Sequence, residues 1–154
     1  MLTIRPAQLA VFQPAAEAAF ERRVAEYLRE EHGDEVVLLP AGEDEVSEHE
    51  VKDLDDKILL KLVRTGIGRA RSYGMTWESS LTAFVAIMFT VAPNFDAHPL
   101  IRRILTNAQT GPDACLDQLC EQVTDENWEA AQDRYDTTAW EFQVEEGGVS
   151  ASET

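Results

Sequence analysis

The charges of this chain are sorted along its length, and that sorting constrains its fold more than any other feature. From Lys57 to Arg103 there are seven bases (Lys57, Lys61, Arg64, Arg69, Arg71, Arg102, Arg103) against two acids, Glu78 and Asp96. Residues 30–56 carry twelve acids against one lysine, and residues 104–154 twelve acids against one arginine, in a chain of net charge −16. A basic segment between acidic flanks is satisfied either by acids folded back onto it or by a partner. The apolar residues then say which folded-back arrangements have a core.

Their spacing is helical almost throughout. Pro6–Phe12 reads as a short helical turn, and Pro14 suits the first turn of a helix over 15–31 with Phe20, Val24, Tyr27 and Leu28 inward and Glu17, Glu21, Arg22 and Arg29 outward. Val36–Pro40 is a short extended piece and 41–47 a loop. Ser47 with Glu50 three residues on has the form of a capping box, which predicts a long helix over 48–73 with Leu54, Ile58, Leu59, Leu62, Val63, Ile67 and Ala70 on one face. Gly66 and Gly68 inside it each cost about 1 kcal/mol relative to Ala, which points to close packing of another backbone there. Thr76 is a good N-cap for a helix over 77–91, almost without polar surface and therefore central. Shorter helices follow from Pro99 to Asn107, from Pro112 to Val123 and from Glu126 to Tyr135. The reading is an all-α single domain of six or seven helices over 1–146, with a flexible tail over 147–154.

Composition limits the function classes. The acidic excess opposes nucleic acid, whose affinity comes from neutralised phosphates, and anionic membrane surfaces. It favours basic protein partners, or serves only as a solvated surface. The apolar run from Leu81 to Ala92 would rise about 18 Å as a helix against a hydrocarbon core of about 30 Å, so it reads as a core helix. The opening residues lack the regions of a signal peptide, so the expected location is cytoplasmic. Cys115 and Cys120 have no second pair or histidine at metal-site spacing and read as reduced thiols.

No catalytic constellation emerges. His32, His49 and His98 are far apart, and none pairs with a nucleophile. Ser79–Ser80 lacks a nucleophile elbow. Thr65–Arg69 has glycines but no preceding strand and no lysine at the phosphate-loop step. Glu43, Asp44 and Glu45 lack the calcium-loop pattern. The expectation is a protein that is not an enzyme, with no cofactor and no metal.

Two surfaces remain as candidates for a protein partner. Lys57, Lys61, Arg64 and Arg71 form a basic stripe opposite the apolar face of the long helix, to be neutralised by acidic helices of the fold or by a docked protein. In the C-terminal part, Trp128, Tyr135, Trp140 and Phe142 alternate with acids. There Glu126, Trp128, Glu129, Asp133 and Trp140 combine aromatic anchors with charges that steer a basic partner, unless the aromatics only pack the last helix on the core.

The run Leu62-Val-Arg-Thr-Gly-Ile-Gly-Arg-Ala-Arg-Ser-Tyr-Gly-Met-Thr-Trp-Glu-Ser-Ser-Leu81, with Ala86-Ile-Met-Phe-Thr-Val-Ala-Pro-Asn-Phe-Asp-Ala-His-Pro99 and the opening Leu2–Leu9 and Phe20–Leu28, resembles a family of small bacterial proteins encoded beside type VI secretion effectors, spike proteins and PAAR-tipped toxins. The resemblance spans about residues 1–120; the loop 43–50 and the acidic C-terminal extension depart from it. Its motifs are structural, and it implies an accessory role: chaperone, adaptor or immunity factor. The sequence reading is therefore a non-enzymatic accessory protein that holds a secreted effector toxin or its chaperone. The alternative is an immunity protein whose acidic surface imitates phosphates to cover a toxin's basic cleft. Which face binds, and the oligomeric state, stay open.

Overall fold

A computed structural model describes residues 6–42, 45–107 and 109–141, with backbone alone for 6–15. Six helices surround one core: α1 (Pro6–Glu31), α2 (Asp56–Ser72), α3 (Glu78–Thr90), α4 (Pro99–Leu105), α5 (Cys115–Gln122) and α6 (Asp125–Asp133). The chain is mostly helical but not all-α. Val36–Gly42 (β1) and Glu45–Glu50 (β2) pair as an antiparallel hairpin, with Val37 opposite His49 and Leu39 opposite Ser47.

That hairpin corrects the expected start of the long helix. Val37 and Leu39 alternate into the core, and an extended segment needs a ladder partner for its backbone, which residues 45–50 supply. Ser47 makes no cap; its hydroxyl meets His49 Nε2 at 2.8 Å. A 3-10 turn, Val51–Asp53, leads to α2, which starts eight residues later than expected, with the Asp55 carboxylate accepting from Lys57 N–H. Arg29 holds this link by donating to the Lys52 carbonyl (2.9 Å), the Leu54 carbonyl (2.6 Å) and Asp56 (2.7 Å).

α1 is one helix through Pro14, whose missing N–H deprives the ladder of a single bond. Its buried face is rotated from the expected one: Glu21 is buried with Phe20, Val24, Ala25 and Leu28, whereas Tyr27 is exposed. Both α1 and α3 pack on α2, and α2 meets α3 at Gly66. A Cβ there would lie 2.9 Å from Val85 Cγ2 and 3.1 Å from Met88 Sδ, so Gly66 makes room for side chains of α3 and not for another backbone as expected; Gly68 faces open space.

α3 is the central helix, with Leu81, Phe84, Val85, Met88 and Phe89 all buried. Its N-cap is Trp77, not Thr76, and no capping side chain comes from within the helix. The substitute is Asp113, brought from the turn before α5, which accepts from Thr76 N–H (3.1 Å), Trp77 N–H (3.0 Å) and the Thr76 hydroxyl (3.2 Å). Gly74, at φ +97°, lets the α2–α3 turn sit against Pro112, which a Cβ would approach to 2.9 Å.

The shorter helices start and stop near their sequence signals. Pro99 opens α4, with His98 Nδ1 accepting from Leu100 N–H. Thr124 and Asn127 form a reciprocal capping box on α6. α5 opens at Cys115, with Pro112 left in the preceding turn. The last described residues wrap back over the core through a 3-10 turn, Thr137–Trp140. Arg69 anchors this return by donating to the carbonyls of Pro93 and Ala139 and facing Asp96 at 3.8 Å and Glu141 at 3.7 Å. The buried Asp96 also accepts from the Tyr73 hydroxyl at 2.7 Å. The domain end at 146 and the tail over 147–154 lie outside the described residues.

Candidate protein-binding surfaces

The basic stripe is largely satisfied by α1. Arg71 makes a two-bond contact with Glu17 (2.9 and 2.8 Å), and Arg64 Nε donates to the buried Glu21 at 2.8 Å. The hydrogen bond to Glu17 raises the Arg71 pKa against the opposing effect of burial. The Arg71–Glu17 pair sits at the surface and stabilises by at most about 1 kcal/mol, whereas Arg64 reaches from the surface to a buried carboxylate; together they tie α1 to α2. Lys57 and Lys61 are exposed on the same helix, and Lys57 makes no ion pair among the described residues. The structure thus brings Arg64 and Arg71 to α1 and leaves the two lysines at the surface.

The acidic aromatic face divides in the same way. Glu126, Glu129 and Asp133 are exposed on one face of α6, at steps of three and four, and make no ion pair among the described residues. Trp128 is half-buried, 6.4 Å from the Phe95 ring. Trp140 corrects the sequence reading: it is 0% exposed, edge-on to Phe89 at 5.0 Å, and its indole N–H donates to the Tyr135 hydroxyl at 3.1 Å. A residue so enclosed cannot touch a partner. Phe142 lies outside the described residues.

The exposed tryptophan is Trp77, at 63%. Sequence reasoning placed it inside the central helix, because it precedes an apolar run. At the N-cap, however, it projects from the end of α3, where the packing on α2 no longer covers it. Its backbone is fixed by Asp113. Burial pushes the Asp113 pKa up, but hydrogen bonds from Trp77, Ser80 and Thr76 outweigh that and hold the carboxyl below its ordinary value.

Beside Trp77, an open groove runs between α1 and α3. Its wider part, about 560 Å³, is lined by Ala16, Glu17, Phe20, Arg71, Thr76 and Leu81. Its continuation has Val24, Tyr27, Thr82 and Ala83 in the wall. The rim bases are matched: Arg71 by Glu17, and Arg23 by Glu78 at 3.3 Å. An exposed aromatic with a fixed backbone, whose chain neighbours Thr76 and Glu78 line a partly apolar groove with a neutralised rim, has the make-up of a binding hot spot.

Among the described residues there is no group of three potential metal ligands, and no buried side-chain polar atom lacks a hydrogen-bond partner. Cys115 is buried, its thiol pKa is raised by burial, and it donates to the Pro112 carbonyl; Cys120 is exposed. No described helix is long and apolar enough to cross a membrane. Searches against family models, curated proteins and solved structures find no match to the chain.

Proposed function

We propose that this protein is a non-enzymatic binding protein that holds a secreted effector toxin, or that effector's chaperone, as an accessory of type VI secretion. The observation that carries the binding role is Trp77, exposed on a fixed backbone beside the α1–α3 groove. Large aromatics with little freedom to lose dominate protein interfaces, and a net charge of −16 favours a partner segment that is basic around an apolar anchor. The resemblance at Leu62–Leu81 and Ala86–Pro99 supports the secretion context and includes Trp77 itself.

The second reading, an immunity protein, draws support from Glu126, Glu129 and Asp133, three exposed carboxylates along one helix face, without an ion pair among the described residues, that could occupy a toxin's phosphate sites. Deletion of the gene separates the two. An accessory factor is required for effector delivery, and its loss leaves the producing cell unharmed; loss of an immunity protein poisons the producer. Co-expression with the neighbouring effector tests the surface: Trp77→Ala should abolish co-purification without loss of fold. Full co-purification by that variant would remove the groove from consideration.

A further inference from the structure

Among the described residues, the β1–β2 hairpin has one edge closed and one edge open. On the closed side, the Tyr135 hydroxyl accepts from Leu38 N–H at 2.9 Å and faces the Leu38 carbonyl at 3.5 Å. Both backbone groups of Leu38 therefore point away from β2, so Leu38 and its register partner Glu48 exchange no ladder bond. By the alternation of an antiparallel ladder, the N–H and C=O groups of Val46, Glu48 and Glu50 point outward from the free side of β2. The bond from Val51 N–H to the Glu35 carbonyl, one step further on, agrees with this phase. The Glu50 carbonyl is taken up as the N-cap of the 3-10 turn Val51–Asp53; among the described residues no backbone group meets the others, and β1 is the one element against which β2 packs extensively.

The side chains along this edge are distinctive. Val46 is 53% exposed, Glu45 and Glu48 are exposed, and Glu50 is partly so. On the same sheet face, Val36 stands exposed opposite Glu50, Leu38 opposite Glu48 and Pro40 opposite Val46. The edge thus offers unpaired backbone groups, an apolar strip and glutamates; the base nearby, Lys52, pairs with Asp34 at 3.1 Å and with Glu50 at 3.5 Å, which leaves Glu48 as the principal charge for a basic partner.

We propose that the free edge of β2 receives an extended basic segment of a protein partner as a third strand. Main-chain hydrogen bonds to Val46, Glu48 and the Glu50 N–H would supply affinity, and alternate side chains specificity. In antiparallel order the segment reads basic, any, basic, any, apolar, with its bases beside Glu50 and Glu48 and its apolar residue beside Val46. Charge decides the occupant. A second copy pairing edge to edge would bring the glutamates of both strands together, which is destabilising, and nucleic acid would meet the same repulsion. The proposal stands apart from Trp77, which lies on α3 and contributes nothing to this edge.

The test uses the full chain and a short synthetic peptide, Lys-Thr-Lys-Thr-Val-Thr, titrated by NMR at low salt. The expected result is saturable binding with slowed exchange at the amides of Val46 and Glu48, lost when the peptide's ladder-facing amides are N-methylated. Glu48→Pro removes an outward N–H without touching a β1–β2 bond, and should weaken binding about fivefold or more. Glu48→Lys, which leaves the backbone free, should weaken it at least as much if the proline variant folds poorly. Equal binding of the N-methylated peptide would overturn strand addition in favour of charge attraction alone. Protection of the same amides in the absence of peptide, rising with protein concentration, would overturn it in favour of self-association, and absence of binding would leave the charged edge as a guard against aggregation. Trp77→Ala should bind the peptide as the unaltered protein does, so failure at this edge and failure at the groove are separable.

Discussion

At the residue scale, the three tryptophans show how little the identity of a side chain says about its use. Trp140 lies against Phe89 with its N–H satisfied by Tyr135, Trp128 rests half-covered on Phe95, and Trp77 stands in the open. Their consequences differ accordingly. Trp140→Ala should lower stability by about 3–5 kcal/mol through the cavity it leaves, whereas Trp77→Ala should stay within about 0.5 kcal/mol of the unaltered chain. Urea unfolding of the two variants checks both values. A large loss from Trp77→Ala would show that the residue supports α3 and is not a free anchor.

At the element scale, the crossing of α2 and α3 and the cap on α3 are the joints that hold the central helix. Gly66 and Gly68 are alike in sequence and opposite in consequence. Gly66→Ala should destabilise by about 1–3 kcal/mol, because Val85 must move. Gly68→Ala should stabilise by about 1 kcal/mol, because a helix interior with nothing nearby gains propensity alone. Thermal unfolding of the pair gives the signs directly. The cap predicts a pH dependence. The Asp113 carboxyl is held below its ordinary value in the folded state, so its contribution is complete above the unfolded pKa near 3.8 and is lost as pH falls through the folded value. The stability advantage of the unaltered protein over Asp113→Asn should therefore be present at neutral pH and disappear in acid, as read from melting temperatures across that range.

For the whole molecule, the surface charges divide into those that tie elements together and those with no partner in the described fold. The pairs Arg64–Glu21 and Arg71–Glu17 tie α1 to α2, whereas Glu126, Glu129 and Asp133 have no partner in the described fold. Reversing these three charges together should leave the melting temperature nearly unchanged and slow association with a basic partner, with a correspondingly weaker dependence on salt. Surface plasmon resonance at two ionic strengths distinguishes this from a dissociation effect. An unchanged association rate would place recognition on the apolar contacts around Trp77.

Much of the helical framework was legible because it rests on local signals. Period-3.6 runs, Pro99 at a helix start and the apolar density of residues 81–89 each act within a turn or two of chain, and α3 with its buried Phe84 and Met88 lies where they point. What the sequence could not reveal depended on residues far apart. The β2 strand carries the local mark of a helix cap and is extended only because Val37 and Leu39 need a ladder partner at its place. The face that α1 buries was set by Arg64 and Arg71 on another helix, and Trp77 took its cap from Asp113, thirty-six residues away. Trp140 entered the core because Arg69, on α2, holds the chain on either side of the site it fills. Short-range periodicity determined the helices; which tryptophan stands exposed and which is enclosed was decided by long-range hydrogen bonds and packing, which local sequence does not encode.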